Sequence, residues 1–247
     1  MNLSGISNKT PLGRMLRLPL KLIPPNTVVP ILQGGLKGKR WISGSCDHGC
    51  WLGSYEHEKQ RLFAEHVSNG AVVFDIGANV GFYTLLASTL VGNGKVVAFE
   101  PVPGNLRHLR RHLSLNKVQN VTVVESAVSD EEGTVLFKRG ASNTNGSIDA
   151  NGDFQVTAVS IDRLISTHEV PIPSLIKMDI EGGEFRALIG ARATLMEYHP
   201  TIFLATHGAE IHRNCCEFLR SLGYNLRPVI GDDVDATDEI IASRKNS

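Results

Sequence analysis

The segment VVFDIGANVGFYT, Val72 to Thr84, limits the fold more than any other part of the chain. A run of β-branched and apolar residues reaches an acid at Asp75, a glycine-spaced loop follows, and an apolar stretch comes after it. The pattern predicts a buried strand, a tight ligand-binding loop and a helix, which is the first half of a nucleotide-type α/β fold. Loops of this outline hold a phosphate, a dinucleotide or a sulfonium cofactor.

The chain downstream keeps the same rhythm. KVVAFEP predicts a second strand stopped by Pro101, and PGNLRHLRRHLSLN a helix with Leu106, Leu109, Leu113 and Leu115 as its apolar residues. VTVVESAVS predicts a third strand, SLIKMDIEG a fourth and PTIFLATHG a fifth. GEFRALIGARATLMEY and AEIHRNCCEFLRSLG read as the intervening helices, and GSYEHEKQRLFAEHV as a helix leading into the domain. YNLRPVI and EIIASR read as a closing antiparallel pair at the edge. Near-continuous apolar strands separated by helices imply a parallel sheet covered on both faces. GTVLFKRG and FQVTAVSIDRLI break the rhythm and predict a hairpin around the polar stretch ASNTNGSIDANGD, a candidate lid.

Residue types in the first loop separate the three ligands. A dinucleotide fingerprint needs Gly-x-Gly-x-x-Gly, whereas here Asn79 stands at the middle glycine and the last spacing is short. A phosphate loop needs Gly-Lys-Ser/Thr at the helix start, and the lysine is absent. Asp75 beside the loop would repel a pyrophosphate but suits an ammonium and a sulfonium. The glycines let backbone approach a ligand closely. Glu100 ends the second strand, where an acid accepts from ribose hydroxyls. A cationic amino-acid head joined to a ribose describes S-adenosylmethionine. Either acid alone could instead cap the following helix.

The 247 residues are 42% hydrophobic and 20% charged, which is ordinary for a globular chain with a sizeable core. Formal net charge is +0, yet seven of the 25 basic residues precede the first acid, Asp47, leaving 18 basic against 25 acidic residues beyond it. A basic arm on an acidic body either wraps that body, stays solvated, or meets an anionic partner such as a membrane surface. The Pro-rich arm is also a candidate dimer element. No apolar run reaches membrane-spanning length and no signal-peptide core opens the chain, so a soluble, cytoplasmic protein is expected. CDHGC lacks the second half of a zinc motif, so all four cysteines are expected as reduced thiols. The arginine-rich RHLRRH lacks interleaved aromatics and reads as a solvated helix face, with no nucleic-acid partner expected.

GCWLGSYEHEKQ, VVFDIGANVGFYT, VVAFEPVPGNLRHLRRHLSLN, VESAVSD and IKMDIEGGEFRALIGA together resemble the FkbM family of S-adenosylmethionine-dependent methyltransferases, over about Gly49 to Tyr224. The resemblance implies a Rossmann-like class I methyltransferase fold: a seven-stranded, mostly parallel sheet with helices on both faces and an antiparallel edge. Residues 1–50, rich in Pro and Gly and without clear periodicity, read as an extended basic arm, and the methyltransferase domain is expected over 51–247. Carried onto this chain, Asp75, Gly77, Asn79 and Gly81 line the methionine end of the cofactor and Glu100 holds its ribose. Ser126 and Ala127 sit at the adenine, and Tyr55 and Glu56 close over the cofactor, with packing an equal role for Tyr55. Acceptors of the family are hydroxyl groups, often on sugars or secondary metabolites.

Alcohol methylation needs a group to take the hydroxyl proton, or a metal. Candidates belong at the ends of the fourth and fifth strands: Asp179 and Glu181, which share a face if the strand continues through them, and His207 as general base. Clustered carboxylates can also bind Mg²⁺. Glu184 fits a structural first-turn position on the next helix. The family often carries an acid two residues before the histidine, and here that residue is Ala205, which weakens a metal site. The expected activity is O-methylation of a sugar, glycan or small metabolite. N-methylation, a catalytically silent module that keeps the fold, and a nicotinamide oxidoreductase are the competitors.

Overall fold

In a computed structural model, residues 19–139, 146–148 and 151–244 are described. The first part of the basic arm and most of the polar stretch proposed as a lid fall outside them. After a 3-10 turn at Pro19–Leu22, β1 (Val28–Pro30) pairs antiparallel with β2 (Arg40–Ile42), and α1 (His48–Leu52) and α2 (His57–His66) lead to the sheet. Then come β3 (Val72–Ile76), α3 (Phe82–Leu90), β4 (Lys95–Phe99), α4 (Pro103–Leu115) and β5 (Val121–Val124). A second, four-stranded sheet holds β6 (Ala127–Val128), β7 (Gly133–Arg139), β8 (Gly146–Ile148) and β9 (Phe154–Val159). α5 (Ile161–Ser166), β10 (Leu175–Met178), α6 (Glu184–Ile189), α7 (Arg192–Tyr198), β11 (Thr201–Ala205), α8 (Ala209–Ser221), β12 (Asn225–Pro228) and β13 (Glu239–Ser243) complete the chain.

The main sheet has seven strands in the order β12-β13-β11-β10-β3-β4-β5. β3, β4, β5, β10 and β11 are mutually parallel, and β13 is antiparallel to both its neighbours. The antiparallel strand is therefore slotted between β11 and the edge strand β12. The fold is that of a class I methyltransferase.

Strand alternation divides the core. Phe74, Ile76, Ile176 and Met178 face one layer with Leu188, Leu195 and Leu219, while Val73 and Leu175 face the other with Leu85, Phe63 and Trp41. Asp75 and Lys177 have the parity of Val73 and Leu175, and the register sets them side by side. Two acid–base side chains are thereby driven into an apolar layer just under the strand ends.

Three elements differ from the sequence expectation. The third strand ends at Val124, and Ala127–Val128 turns into the second sheet to pair with β9. The helix expected over 183–198 breaks into α6 and α7. A Cβ on Gly190 would lie 2.1 Å from Ser129 O, and Asp162 caps the new start by accepting from Ala193 N and Thr194 N at 2.8 Å each. Cys46 and Cys50, expected as reduced thiols, form a disulfide across 6.4 Å between their Cα atoms, which suits one. Cys215 and Cys216 are free and buried.

The segment before α1 is part of the second apolar layer. Ile31, Leu36 and Trp41 are buried in it, and Trp41 stacks on the His112 ring at 3.6 Å. Ile42 N donates to His112 Nε2 at 3.1 Å, so Nδ1 carries the proton and donates to Val80 O at 2.8 Å. Burial holds this imidazole down to about 4, which keeps it neutral in this role. Arg107, Arg110 and Arg111 of the same helix are exposed. Among the described residues no helix is long and apolar enough to cross a membrane. Trp41→Ala should lower unfolding free energy by about 3–5 kcal/mol, the cost of emptying a buried tryptophan site. Denaturant unfolding checks this, and a loss under 1 kcal/mol would show that the segment is not structurally part of the domain.

Candidate active site

Gly77 starts the site. It takes a φ of +80°, and a Cβ there would lie 2.0 Å from Asp179 O. The loop after β3 thus rests directly on the end of β10. Asn79 also has positive φ, 51°, which asparagine tolerates because its side chain bonds locally; its Oδ1 accepts from Val80 N at 2.8 Å. Asn79 N donates to Glu100 Oε2 at 2.8 Å, tying the loop to the end of β4.

A cavity of about 430 Å³ opens over these strand ends. Gly77, Asn79, Glu100, Ser126, Ala127 and Tyr55 all line it, as do Asp179 and Glu181. Glu56, Asp75 and Gly81 do not. Asp75 lies behind the wall, 1% exposed, accepting from Thr84 Oγ1 at 2.6 Å with Lys177 Nζ 3.6 Å away. Glu56 accepts from the Tyr83 hydroxyl at 2.8 Å and pairs with Lys59 at 3.5 Å, so its carboxylate anchors the wall from outside. Gly81 is a packing position, since a Cβ there would meet Leu109 Cδ1 at 2.4 Å.

Sequence reasoning missed several wall residues. Phe137 comes from β7 and closes the apolar end beside Val102 and Val128; the segment carrying it reads as an insertion, which hides it. Ser45, Cys46 and Asp47 bring the N-terminal segment into the wall. Lys177 lines the cavity between two acids, with Asp179 Oδ2 at 3.7 Å and Gly77 O at 3.4 Å. Its signal was available: a lysine between apolar residues in a strand that must be buried needs acidic partners.

Beside this cavity Asp179, Glu181 and His207 form a cluster whose ligand atoms lie within 4.8 Å of one another. Strand alternation is not what joins the acids. β10 ends at Met178, and Glu181 sits in a turn with φ 57°. His207 Nε2 is 3.7 Å from Asp179 and 3.6 Å from Glu181. Its Nδ1 is held at 2.8 Å by Glu184 Oε1, which also accepts from Gly182 N at 3.0 Å. Glu184 thus stands in the first turn of α6 as expected, and it orients the histidine as well. That hydrogen bond, against the opposing effect of burial and with the added charges of Glu184, Glu181 and Asp179, pushes His207 up to about 9. Burial would raise Asp179, but Lys177, Lys59 and His207 outweigh it and hold its carboxyl below the usual range.

A model of the methyltransferase FkbM domain matches residues 75–226. The chain belongs to the FkbM methyltransferase domain family. Hexuronic acid methyltransferase AglP of Haloferax volcanii is 29% identical over 137 residues, covering 55% of this chain and 56% of that protein. Methyltransferase 1 of Beauveria bassiana is 23% identical over 142 residues, covering 48% and 57%. The chain thus spans little more than half the length of these curated relatives. A crystal structure of methyltransferase FkbM from Methylobacillus flagellatus KT superposes with a TM-score of 0.51 at 24% identity, over 71% of this chain and 44% of that one. Precorrin-6y C5,15-methyltransferase from Geobacter metallireducens GS-15 gives 0.50 at 18% identity, over 76% and 89%. At these identities the two structures show the shared fold.

The FkbM-domain cofactor, S-adenosylmethionine, fits what lines the cavity. One end is apolar, between Phe137, Val102 and Val128, and the other ends on the Gly77 loop and Asp179. Glu100 stands between them, 4% exposed. Burial pushes its carboxyl up to about 7, although Val102 N, Asn105 Nδ2 and Asn79 N all donate to it. A carboxyl raised on folding adds stability at low pH that is lost as pH rises through about 7. Ribose hydroxyls would donate to the ionised form, so cofactor affinity runs the other way and falls as pH drops below about 7. Calorimetry with S-adenosylhomocysteine should show weaker binding at roughly one pH unit below that point than one unit above it, with proton release on binding. Glu100→Gln should bind weakly at both. A wild-type affinity independent of pH would refute the assignment.

Proposed function

We propose that the protein transfers the methyl group of S-adenosylmethionine to a hydroxyl of a sugar or glycan, with Asp179, Glu181 and His207 as the reaction site. The observation that carries this is the cluster itself. Two carboxylates on the cofactor cavity meet a histidine whose other nitrogen is fixed by a buried glutamate. A methyl transfer to oxygen is an in-line displacement, and the cofactor supplies both the electrophile and the leaving group. The chain has to orient the hydroxyl and receive its proton. The hydroxyl becomes strongly acidic as the new C–O bond forms, so a nearby carboxylate is a sufficient base. His207 and Glu184 hold the two acids in place for it. The hexuronic acid named for the archaeal relative supports a sugar acceptor.

The same three side chains offer an oxygen-rich donor set with one imidazole, and Glu184 on the far nitrogen of His207 is the outer-shell partner that metal-binding histidines usually have. We include Mg²⁺ in the proposal on that basis. When bound, such an ion would supply Lewis-acid stabilisation of the alkoxide. Cytoplasmic residence also belongs to the proposal; in that compartment the Cys46–Cys50 bridge would be reduced.

Transfer from tritium-labelled S-adenosylmethionine to hexuronic acid glycosides tests the reaction. Asp179→Asn and His207→Ala should each cut turnover by about 100-fold or more, and His207→Ala, outside the cofactor cavity, should keep S-adenosylhomocysteine affinity within about twofold of wild type. Intact cofactor binding without turnover on any hydroxyl acceptor would favour a silent module. EDTA should lower turnover and Mg²⁺ restore it, and unchanged turnover in EDTA would remove the ion from the proposal.

A further inference from the structure

A second concavity, of about 980 Å³, lies on the other side of the His207 cluster. His207 is in its wall, whereas Asp179 and Glu181 are in the wall of the cofactor cavity. The reaction cluster therefore spans the boundary between the two. The floor is built and polar: Thr206 Oγ1 lies 3.0 Å from Asp238 O and 2.9 Å from His212 Nδ1, and His212 Nε2 lies 2.9 Å from Val234 O. One rim is the exposed stripe of α8, with Arg213, Glu217 and Arg220 at four- and three-residue spacing on one helix face. The opposite rim is the segment from Asp235 to Asp238, which touches the helix where Arg220 Nη2 comes within 3.9 Å of Asp235. From Ala209 to Arg220 the groove follows α8 for about 16 Å.

We infer that this groove is the acceptor channel and that it takes a sugar chain, with the hydroxyl to be methylated placed at His207 and at least one further sugar unit lying along α8. The inference rests on the proposed methyl transfer. Three features select a chain of sugars. The groove is several times longer than one pyranose ring. Among the described residues no tyrosine, tryptophan or phenylalanine lines it, so they offer no stacking wall for a flat aromatic acceptor. Cationic and anionic side chains alternate along it, which suits a polymer of hydroxyls carrying occasional carboxylates: acids accept from hydroxyls, and arginines donate to acidic oxygens. Arg213 has no ion-pair partner among the described residues although Glu217 stands one turn away, so its guanidinium is available to an acidic sugar. This places acceptor selection on α8 and residues 235–238.

The test uses the whole chain saturated with S-adenosylhomocysteine and two defined probes, galacturonic acid and its linear tetrasaccharide. Amide chemical-shift changes are followed on titration. The tetrasaccharide should bind at least tenfold more tightly than the monosaccharide and shift amides of α8 and of residues 235–238. Arg213→Glu should weaken the tetrasaccharide at least fivefold, and Ala236→Trp, which fills the groove from the opposite rim, should do the same. Both variants should keep wild-type affinity for S-adenosylhomocysteine. Equal affinity for the two sugars, no shift with either, or shifts confined to the insertion and N-terminal arm would overturn the inference and leave the methyltransferase reading standing. Failure of S-adenosylhomocysteine to bind would overturn both.

Discussion

Everything in the site depends on one close approach. Gly77 lies so near Asp179 O that no side chain could stand there, and its positive φ is one that an L-residue adopts at a cost. The contact presses the loop that follows β3 onto the end of β10. Gly77 N and Ala78 N reach the other way and both donate to Phe99 O at 3.0 Å, holding the same loop to the end of β4. A single short turn is thereby fastened to both neighbouring strands. Glu100, Asn79 and Asp179 take their positions from it. The reacting groups need separations accurate to a fraction of an ångström, and backbone contacts hold such distances better than side chains can.

Beneath the turn the sheet pays an energetic price. Lys177 and Asp75 are buried beside each other, and Lys59 is buried against Glu56 and Glu239. Lys177 also lies over the Tyr83 ring at 5.3 Å. Buried ion pairs seldom stabilise a fold more than apolar residues of the same size would. Their value here is positional. Lys177 and Lys59 hold Asp179 ionised at the cavity wall, against the pull of burial. Burial and the Glu56 carboxylate keep Tyr83 well above its ordinary range, so it stays a neutral donor that fixes Glu56. The charge row aligns Asp179, and the apolar layers around it carry the stability.

Much of this was legible from residue patterns, and the exceptions share a cause. Local periodicity marks the alternating strands and helices, because a strand buried on both faces must be apolar throughout. Asp75 and Glu100 were visible as acids at strand ends for the same reason. Their different fates were not. Glu100 faces the cavity, whereas Asp75 follows the parity of Val73 into the layer behind it, and only the register with β10 reveals that Lys177 meets it there. Glu184 looked like a helix-start acid and is one; its bond to His207 crosses 23 residues of sequence. Phe137 and the Ser45–Asp47 stretch reach the cavity from segments that carry no motif. The break between α6 and α7 depends on Ser129 and Asp162, both distant in sequence. Long-range packing decided each of these.

Glu100, as the proposed ribose contact, would set a preference for the donor. Three N–H groups already point at its carboxylate, which in an exposed setting would hold it well ionised, yet burial outweighs them. Near neutral pH the cavity wall therefore carries an acid that burial holds partly protonated. In the proposed site, a ligand bringing hydroxyls would add donors to the ionised carboxylate and offset part of the cost of the solvation it loses on folding. A pyrophosphate offers acceptors only and would deepen that cost. Asn79 adds to the same selection, because its backbone N–H is committed to Glu100 and so is withdrawn from phosphate binding. Any residue at this position would present that N–H, so the selection lies in where the loop's donors already point: Gly77 N and Ala78 N to Phe99 O, and Asn79 N to Glu100.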